Sequence, residues 1–155
     1  MPILVTGAAG FIGYHVSAAL LERGEEVVGV DIVNDYYDVR LKEARLERLQ
    51  KQTGFTFYKV DITDIEAMNK VVAAAGELQS VVHLAAQVGV RYSITNPFEY
   101  VQANLLGHMS ILEICRNQPN FKHLVYASSS SVYGGNSKLP FSVDDRTDLP
   151  ISLYA

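Results

Sequence analysis

Five short runs rich in β-branched residues alternate with amphipathic stretches along the whole chain, and this alternation constrains its fold more than any other feature. The runs are "ILVTG", "EVVGVD", "FTFYKVD", "SVVHLAA" and "HLVYASS"; helical patterns lie between them over residues 11–24, about 38–52, 64–76 and about 97–118. Such alternation predicts a doubly wound α/β fold of the Rossmann type, a parallel sheet with helices on both faces. Most of the runs are near-continuous in apolar residues, as strands covered on both faces are. With 155 residues and 48% hydrophobic content, the chain holds enough apolar material for one core, so residues 1–155 are expected to form one domain. In the charged stretch "RLKEARLERLQ", Leu41, Ala44, Leu46 and Leu49 mark the expected core stripe, and Lys42, Glu43, Glu47 and Arg48 the expected solvent face.

Charge and special residues exclude several classes of function. Acidic residues outnumber basic ones 17 to 13 and the basic ones are dispersed, which disfavours nucleic acid or an anionic membrane as partner. A small-molecule partner is expected. The four histidines (His15, His83, His108, His123) lack metal-ligand spacing, so no metal site is predicted. Cys115 is the single cysteine and is expected to be a packing thiol in a reducing compartment. No apolar run reaches the ~18 residues of a membrane span, and "MPILVTGAAG" lacks the basic start of a signal peptide, so a cytoplasmic location is expected.

In doubly wound sheets ligands sit beyond the carboxyl ends of the strands. After the first run comes "TGAAGFIG", with Gly7, Gly10 and Gly13 spaced G-x-x-G-x-x-G ahead of a helix that starts at Phe11 and Ile12. Glycines there permit a tight turn, a close approach of a pyrophosphate to backbone, and contact of helix with sheet, while the helix N-terminus faces the anion. The glycines alone also fit an ordinary strand-to-helix turn. Asp31 ends the second run 18 residues after Gly13. A carboxylate at that place accepts both hydroxyls of an adenosine ribose and repels a 2′-phosphate, which selects NAD over NADP. Asp61 and Ile62 in "VDIT" lie where an adenine edge would fall, although Asp61 equally suits a cap for the helix that follows. Leu84, Ala85 and Ala86 in "HLAAQ" are expected along the dinucleotide's path.

The fifth run opens into "YASSSSVYGG" beside the expected nicotinamide position. Serine-dependent hydrolysis is the rival chemistry, but the run contains no G-x-S-x-G elbow to expose a nucleophile.

Together "VTGAAGFIG", "VHLAA" and "ASSSSVYG" resemble the extended short-chain dehydrogenase/reductases, the NAD-dependent epimerase/dehydratase family. "DIVNDYYD", "AAQVGVRYSITNP" and "HLVYASSSSVYGGNSKLPFS" are most similar to the UDP-glucuronate 4-epimerases within it. The resemblance implies NAD as cofactor, with Asn34 joining Asp31 among its contacts, and a UDP-sugar as substrate. It matches Ser129 and Tyr154 to the family's catalytic hydroxyl and phenol. The implied reaction is reversible oxidation at C4 of the sugar. Tyr154 takes the 4-hydroxyl proton while the C4 hydride passes to NAD; the 4-keto sugar turns and receives the hydride on its other face.

A 4-keto uronate is a β-keto acid, so an epimerase must hold the carboxylate rigidly. Ser130 and Ser131 are suitably placed donors for it and Arg91 in "VRYS" is the nearest motif cation, with a surface loop charge as the alternative for Arg91. The 4,6-dehydratases carry an Asp-Glu pair after the hydroxyl residue, and UDP-glucuronate decarboxylases a Glu before Val-Tyr-Gly. Here both positions are serine, which disfavours elimination and decarboxylation. Asn104 matches an asparagine near the nicotinamide, or is an in-helix asparagine satisfied by backbone.

The family's lysine, four residues after the tyrosine, lies beyond Ala155, so "ISLYA" reads as that motif cut through its middle. Ser152 ahead of Leu153 and Tyr154 likewise reads as a helix start. The resemblance implies an NAD-binding part that does not turn over alone, a substrate-binding part beyond it, and a homodimeric whole protein. UDP-glucose/galactose 4-epimerisation and a non-catalytic dinucleotide-binding module are the alternatives.

Overall fold

A computed structural model describes residues 1–155. Five parallel strands, β1 (Ile3–Thr6), β2 (Val27–Asp31), β3 (Phe55–Lys59), β4 (Ser80–His83) and β5 (His123–Tyr126), form one sheet in the order β3-β2-β1-β4-β5. The doubly wound reading holds. The pairing aligns Thr6 with Val30 and with His83, and His83 with Tyr126, so the carboxyl ends of the strands form one edge. Strand order reverses at β1, between β2 and β4, which opens a crevice at that edge.

Side-chain alternation along β1 explains the two layers. Leu4 belongs to a cluster with Met68 and Val71 of α3 (Ile65–Ala75) and with Ile111 and Ile114 of α6 (Gly107–Arg116). Ile3 and Val5 point the other way, toward Leu21 of α1 (Phe11–Glu22) and Leu49 of α2 (Val39–Gln50). Leu4, Val5 and Val30 are fully shielded; burying each such side chain stabilises the fold by roughly 1.5–3 kcal/mol. All residues of β1 and β2 are buried, whereas β5, at the sheet edge, has none that is. The expectation of double coverage therefore holds for the central strands and fails for both edge strands, β3 and β5.

Three helical details differ from the sequence reading. The buried stripe of α2 is Lys42, Leu46 and Leu49, while Leu41 is 52% exposed. Asp38 caps α2, accepting from Arg40 N–H at 3.0 Å. Second, "GVRYSITN" is not all loop: Val90–Thr95 forms the short helix α4. Third, the stretch from α5 (Pro97–Tyr100) to α6 is continuous, but Val101–Leu106 between them is wound as π-helix. Such widened turns frequently mark functional sites.

Candidate functional site

At the strand-order switch lies a cleft of about 260 Å³. Its walls include Gly7 and Gly10 after β1, Asp31 and Asn34 after β2, Asp61 and Ile62 after β3, and Leu84, Ala85 and Ala86 after β4. Four separate loops thus bring predicted residues to one place. Phe11, Ile12, Gly13, Asn104, Arg91, Ser129, Ser130, Ser131 and Tyr154 do not line it.

The glycine turn is fixed by sterics. Gly7 has φ +69°, and a Cβ there would stand 2.9 Å from the Ala85 nitrogen. A Cβ on Gly13 would come within 2.0 Å of the Gly7 carbonyl oxygen, so helix α1 rides directly on the turn. The aspartates Asp38 and Asp64 cap α2 and α3, whereas the N-terminus of α1 at Gly10 has no side-chain cap. The first amides of a helix have no partner within it. Those of Phe11, Ile12 and Gly13 therefore remain available for an anion at the mouth of the cleft.

Asp31 is 8% exposed and accepts from Ala9 N–H at 3.0 Å and Val33 N–H at 2.7 Å. Each carboxylate oxygen retains a lone pair for a hydroxyl in the cleft. Lys42 closes this end, and its Nζ donates to the Asn34 carbonyl at 2.8 Å and to Asn34 Oδ1 at 2.5 Å. Burial pushes the Lys42 amine below its ordinary pKa, opposed by the nearby carboxylates of Asp31 and Asp35. Asp61 accepts from Thr63 N–H at 2.9 Å, while Asp64 holds the cap of α3 by accepting from Ala67 N–H. Of the two roles open to Asp61, helix capping thus falls to Asp64.

Thr6 and His83 brace the floor. Thr6 Oγ1 accepts from the amides of Leu84 and Ala85, each at 3.1 Å, so its own proton goes to His83 Nδ1 at 2.7 Å. Burial, and then the neighbouring His108, pushes His83 down to about 4. Its ring stays neutral at physiological pH and serves as an acceptor.

Asn104 does not face the cleft. Its side chain bonds both polar groups of the Gln87 backbone, accepting from N–H at 2.7 Å and donating to C=O at 2.8 Å. Of the two readings open for it, the backbone-satisfied one describes this geometry. Arg91 is exposed on α4. Ser129 caps a 3-10 turn (Ser130–Tyr133), accepting from Ser131 N–H and donating to Ser131 Oγ, both at 3.2 Å. The ring of Tyr154 stands edge-on to that of Tyr100 with centroids 5.8 Å apart, and Ser152 Oγ accepts from Ala155 N–H at 3.0 Å.

Sequence reasoning missed Thr6, Tyr36, Lys42, Gln87 and Tyr100. For Lys42 the signal was present: 42, 46 and 49 follow the i, i+4, i+7 spacing of a helix face as well as any set containing Leu41. A lysine inside that stripe is expected on the solvent face, but here the amine itself is buried, its charge satisfied by the two Asn34 oxygens.

The arrangement suits a dinucleotide: a carboxylate for ribose hydroxyls, an uncapped helix start for phosphates, and small residues between them. Similarity to known proteins agrees with it. The protein family described as GDP-mannose 4,6 dehydratase matches residues 4–155. The chain belongs to this family. UDP-glucuronate 4-epimerase 4 of Arabidopsis thaliana is 51% identical over 153 residues, covering 99% of this chain and 35% of the plant protein. A crystal structure of the UDP-glucuronic acid 4-epimerase of Bacillus cereus, in complex with UDP-glucuronic acid and NAD, superposes with a TM-score of 0.84 at 36% identity. It covers 99% of this chain and 48% of the Bacillus chain. The UDP-glucose 4-epimerase of Bifidobacterium longum, in complex with NAD+ and UDP, gives the same TM-score at 30% identity, over 99% and 44% of the two chains. The chain therefore spans between about a third and a half of the length of these relatives. No helix is long and apolar enough to cross a membrane.

Proposed function

We propose that the protein carrying this chain is an NAD-dependent nucleotide-sugar 4-epimerase, that its substrate pair is UDP-glucuronate and UDP-galacturonate, and that residues 1–155 form its cofactor-binding part. One observation carries the reading: Gly7, Asp31, Asp61 and Ala85, from four strand ends, converge on a single cleft at the strand-order switch. Relatives that act on UDP-glucuronic acid resemble the chain over nearly its whole length, which supports the choice of sugar. The family's name denotes a dehydratase, but Ser130 and Ser131 stand where elimination and decarboxylation need carboxylates.

NAD, when bound, supplies a reversible hydride acceptor and leaves no net redox change. The chain's own groups do the rest. Asp31 and Lys42 hold the adenosine ribose, and the Phe11, Ile12 and Gly13 amides face the pyrophosphate. Ile62 and Asp61 border the adenine. Tyr154 moves the proton of the sugar 4-hydroxyl, and Ser129, released from Ser131, holds the same oxygen. Ser130, Ser131 and Arg91 grip the C5 carboxylate so that a 4-keto intermediate keeps its carbon dioxide. Asn104 acts one step back, by fixing the backbone of Gln87.

The test supplies the whole protein with UDP-glucuronic acid and NAD and follows sugar H4 and anomeric signals by NMR. The expected result is UDP-galacturonic acid approaching equilibrium with no net NADH. Release of carbon dioxide, or loss of the 6-oxygen, would overturn the epimerase reading. The B. longum neighbour at 30% identity favours a second reading, UDP-glucose/galactose epimerisation. Turnover of UDP-glucose with the uronate untouched would select it.

A further inference from the structure

Tyr154 moves the proton of the sugar 4-hydroxyl in the reading above, yet its own segment does little to orient it. The bond in its turn, Ser152 Oγ accepting from Ala155 N–H at 3.0 Å, holds backbone and does not touch the ring. The χ2 torsion of a tyrosine is broad, so packing has to set the attitude of the ring. That attitude matters, because a group that transfers a proton must stand within hydrogen-bond reach of its partner. One aromatic ring meets that of Tyr154: Tyr100, edge-on, with centroids 5.8 Å apart.

Tyr100 is as firmly held as Tyr154 is loose. It ends α5, is 3% exposed, and its Oη lies 2.8 Å from the Val88 carbonyl oxygen and 2.5 Å from that of Gly89. Asn104, one turn further on, bonds both polar groups of the Gln87 backbone, at 2.7 and 2.8 Å. Tyr36 adds a bond from the β2–α2 loop, donating to the Val88 carbonyl at 3.0 Å. Residues 87–89 are thus clamped from two sides, and they fix the Tyr100 ring through its hydroxyl. The ring beside Tyr154 therefore belongs to the rigid side of the cleft.

Two neighbouring phenols hinder each other's ionisation, so a site that uses one of them as a base has to keep the other protonated. Tyr100 is the one kept protonated. Burial, and then the phenol of Tyr36, pushes it above its ordinary value; Tyr154 and Tyr92 push the same way, against an opposing hydrogen bond from the Gln87 side chain. Its hydroxyl is committed to the Val88 and Gly89 carbonyls and has no proton for Tyr154 or a sugar. What it offers Tyr154 is a ring, and edge-to-face pairs favour one relative attitude over others.

We propose that Tyr100 is a positioning residue for the 4-epimerisation: its ring, anchored on residues 88 and 89, holds the phenol of Tyr154 in the attitude from which it takes the sugar proton. The proposal deepens the reading of Tyr154 above and rests on it.

The test measures kcat, KM and NAD affinity in the whole protein for the wild type, Tyr100→Leu and Tyr100→Phe, with unfolding midpoints alongside. The substrate is UDP-glucuronic acid, or UDP-glucose if that alone is turned over. Tyr100→Leu removes the ring and is expected to lower kcat about tenfold, with KM and NAD affinity within about twofold of wild type. Tyr100→Phe keeps the ring and is expected to recover most of that loss. Tyr100→Met, which fills more of the space, tests the same point if Tyr100→Leu does not fold. A kcat within about twofold of wild type without the ring would overturn the proposal. So would a loss of NAD affinity in step with kcat, which is the mark of a purely structural residue. Equal losses in Tyr100→Leu and Tyr100→Phe would also overturn it, because the grip on the loop and not the ring would then carry the effect. A wild type that turns over neither sugar removes the epimerase reading itself, and this proposal with it.

Discussion

The two ends of the sheet edge are built on different principles. Around Gly7, Asp31 and Ala85 the backbone is held by steric limits, and the Thr6 and Asp31 side chains by buried hydrogen bonds. Around Ser129, Ser130, Ser131 and Tyr154 the hydroxyls bond only neighbours within a few residues, and the last buried residue of the chain is Cys115. Both regions are rich in small and hydroxylated residues, so composition does not separate them. What separates them is cover: β1 and β2 lie between two helical layers, while β5 is an edge strand with no buried residue. Recognition of an invariant cofactor suits a rigid cradle. The groups proposed for the sugar are held by local hydrogen bonds alone.

The largest effect that would test this contrast is expected at Gly13. Gly13→Ala places a methyl 2.0 Å from the Gly7 carbonyl oxygen, a backbone atom that cannot step aside. A destabilisation above about 3 kcal/mol is expected in denaturant titration, at the top of the usual range for overpacking. A loss under ~1 kcal/mol would show that the cradle is not rigid.

Acid is expected to act next most strongly, through His83. The folded protein keeps this ring neutral down to about pH 4, whereas an unfolded chain binds the proton near the ordinary value of 6.5. The contribution is therefore flat above pH 6.5 and turns unfavourable to folding as pH falls toward about 4, where it levels off. At ~1.4 kcal/mol per pKa unit the loss approaches about 3 kcal/mol. His83→Gln should flatten the stability profile over that window; an unchanged profile would assign the acid sensitivity to other groups.

Thr6→Val, nearly isosteric, leaves the Ala85 amide without its acceptor, while the Leu84 amide keeps the Thr6 carbonyl at 3.3 Å. It is expected to cost about 1–3 kcal/mol, the usual penalty for an orphaned buried donor. Hydrogen exchange at the Ala85 amide should quicken before that at any other. Smallest of all is Ser129→Ala, which removes only a local turn bond. A stability change within about 0.5 kcal/mol is expected by thermal unfolding, against a severe loss of turnover in the whole protein. A large stability loss there would erase the contrast between the two regions.

Much of this was legible in the sequence. Strand–helix alternation fixes the fold class because parallel strands need crossover helices, and the glycine spacing with Asp31 marks one end of the cleft because few other residues permit that turn and that contact. Periodicity also placed the helices, although it chose the wrong phase for α2, where the Asn34 oxygens satisfy the buried Lys42 amine at the edge of the cleft. Only the tertiary structure decided that Asn104 would hold a backbone rather than face a ligand and that Tyr36 and Tyr100 would meet on one carbonyl. Each of these depends on residues many positions apart in the chain being brought within about 3 Å. Local sequence governs what a segment prefers to be; which groups are left with partners and which without is settled only when the segments pack.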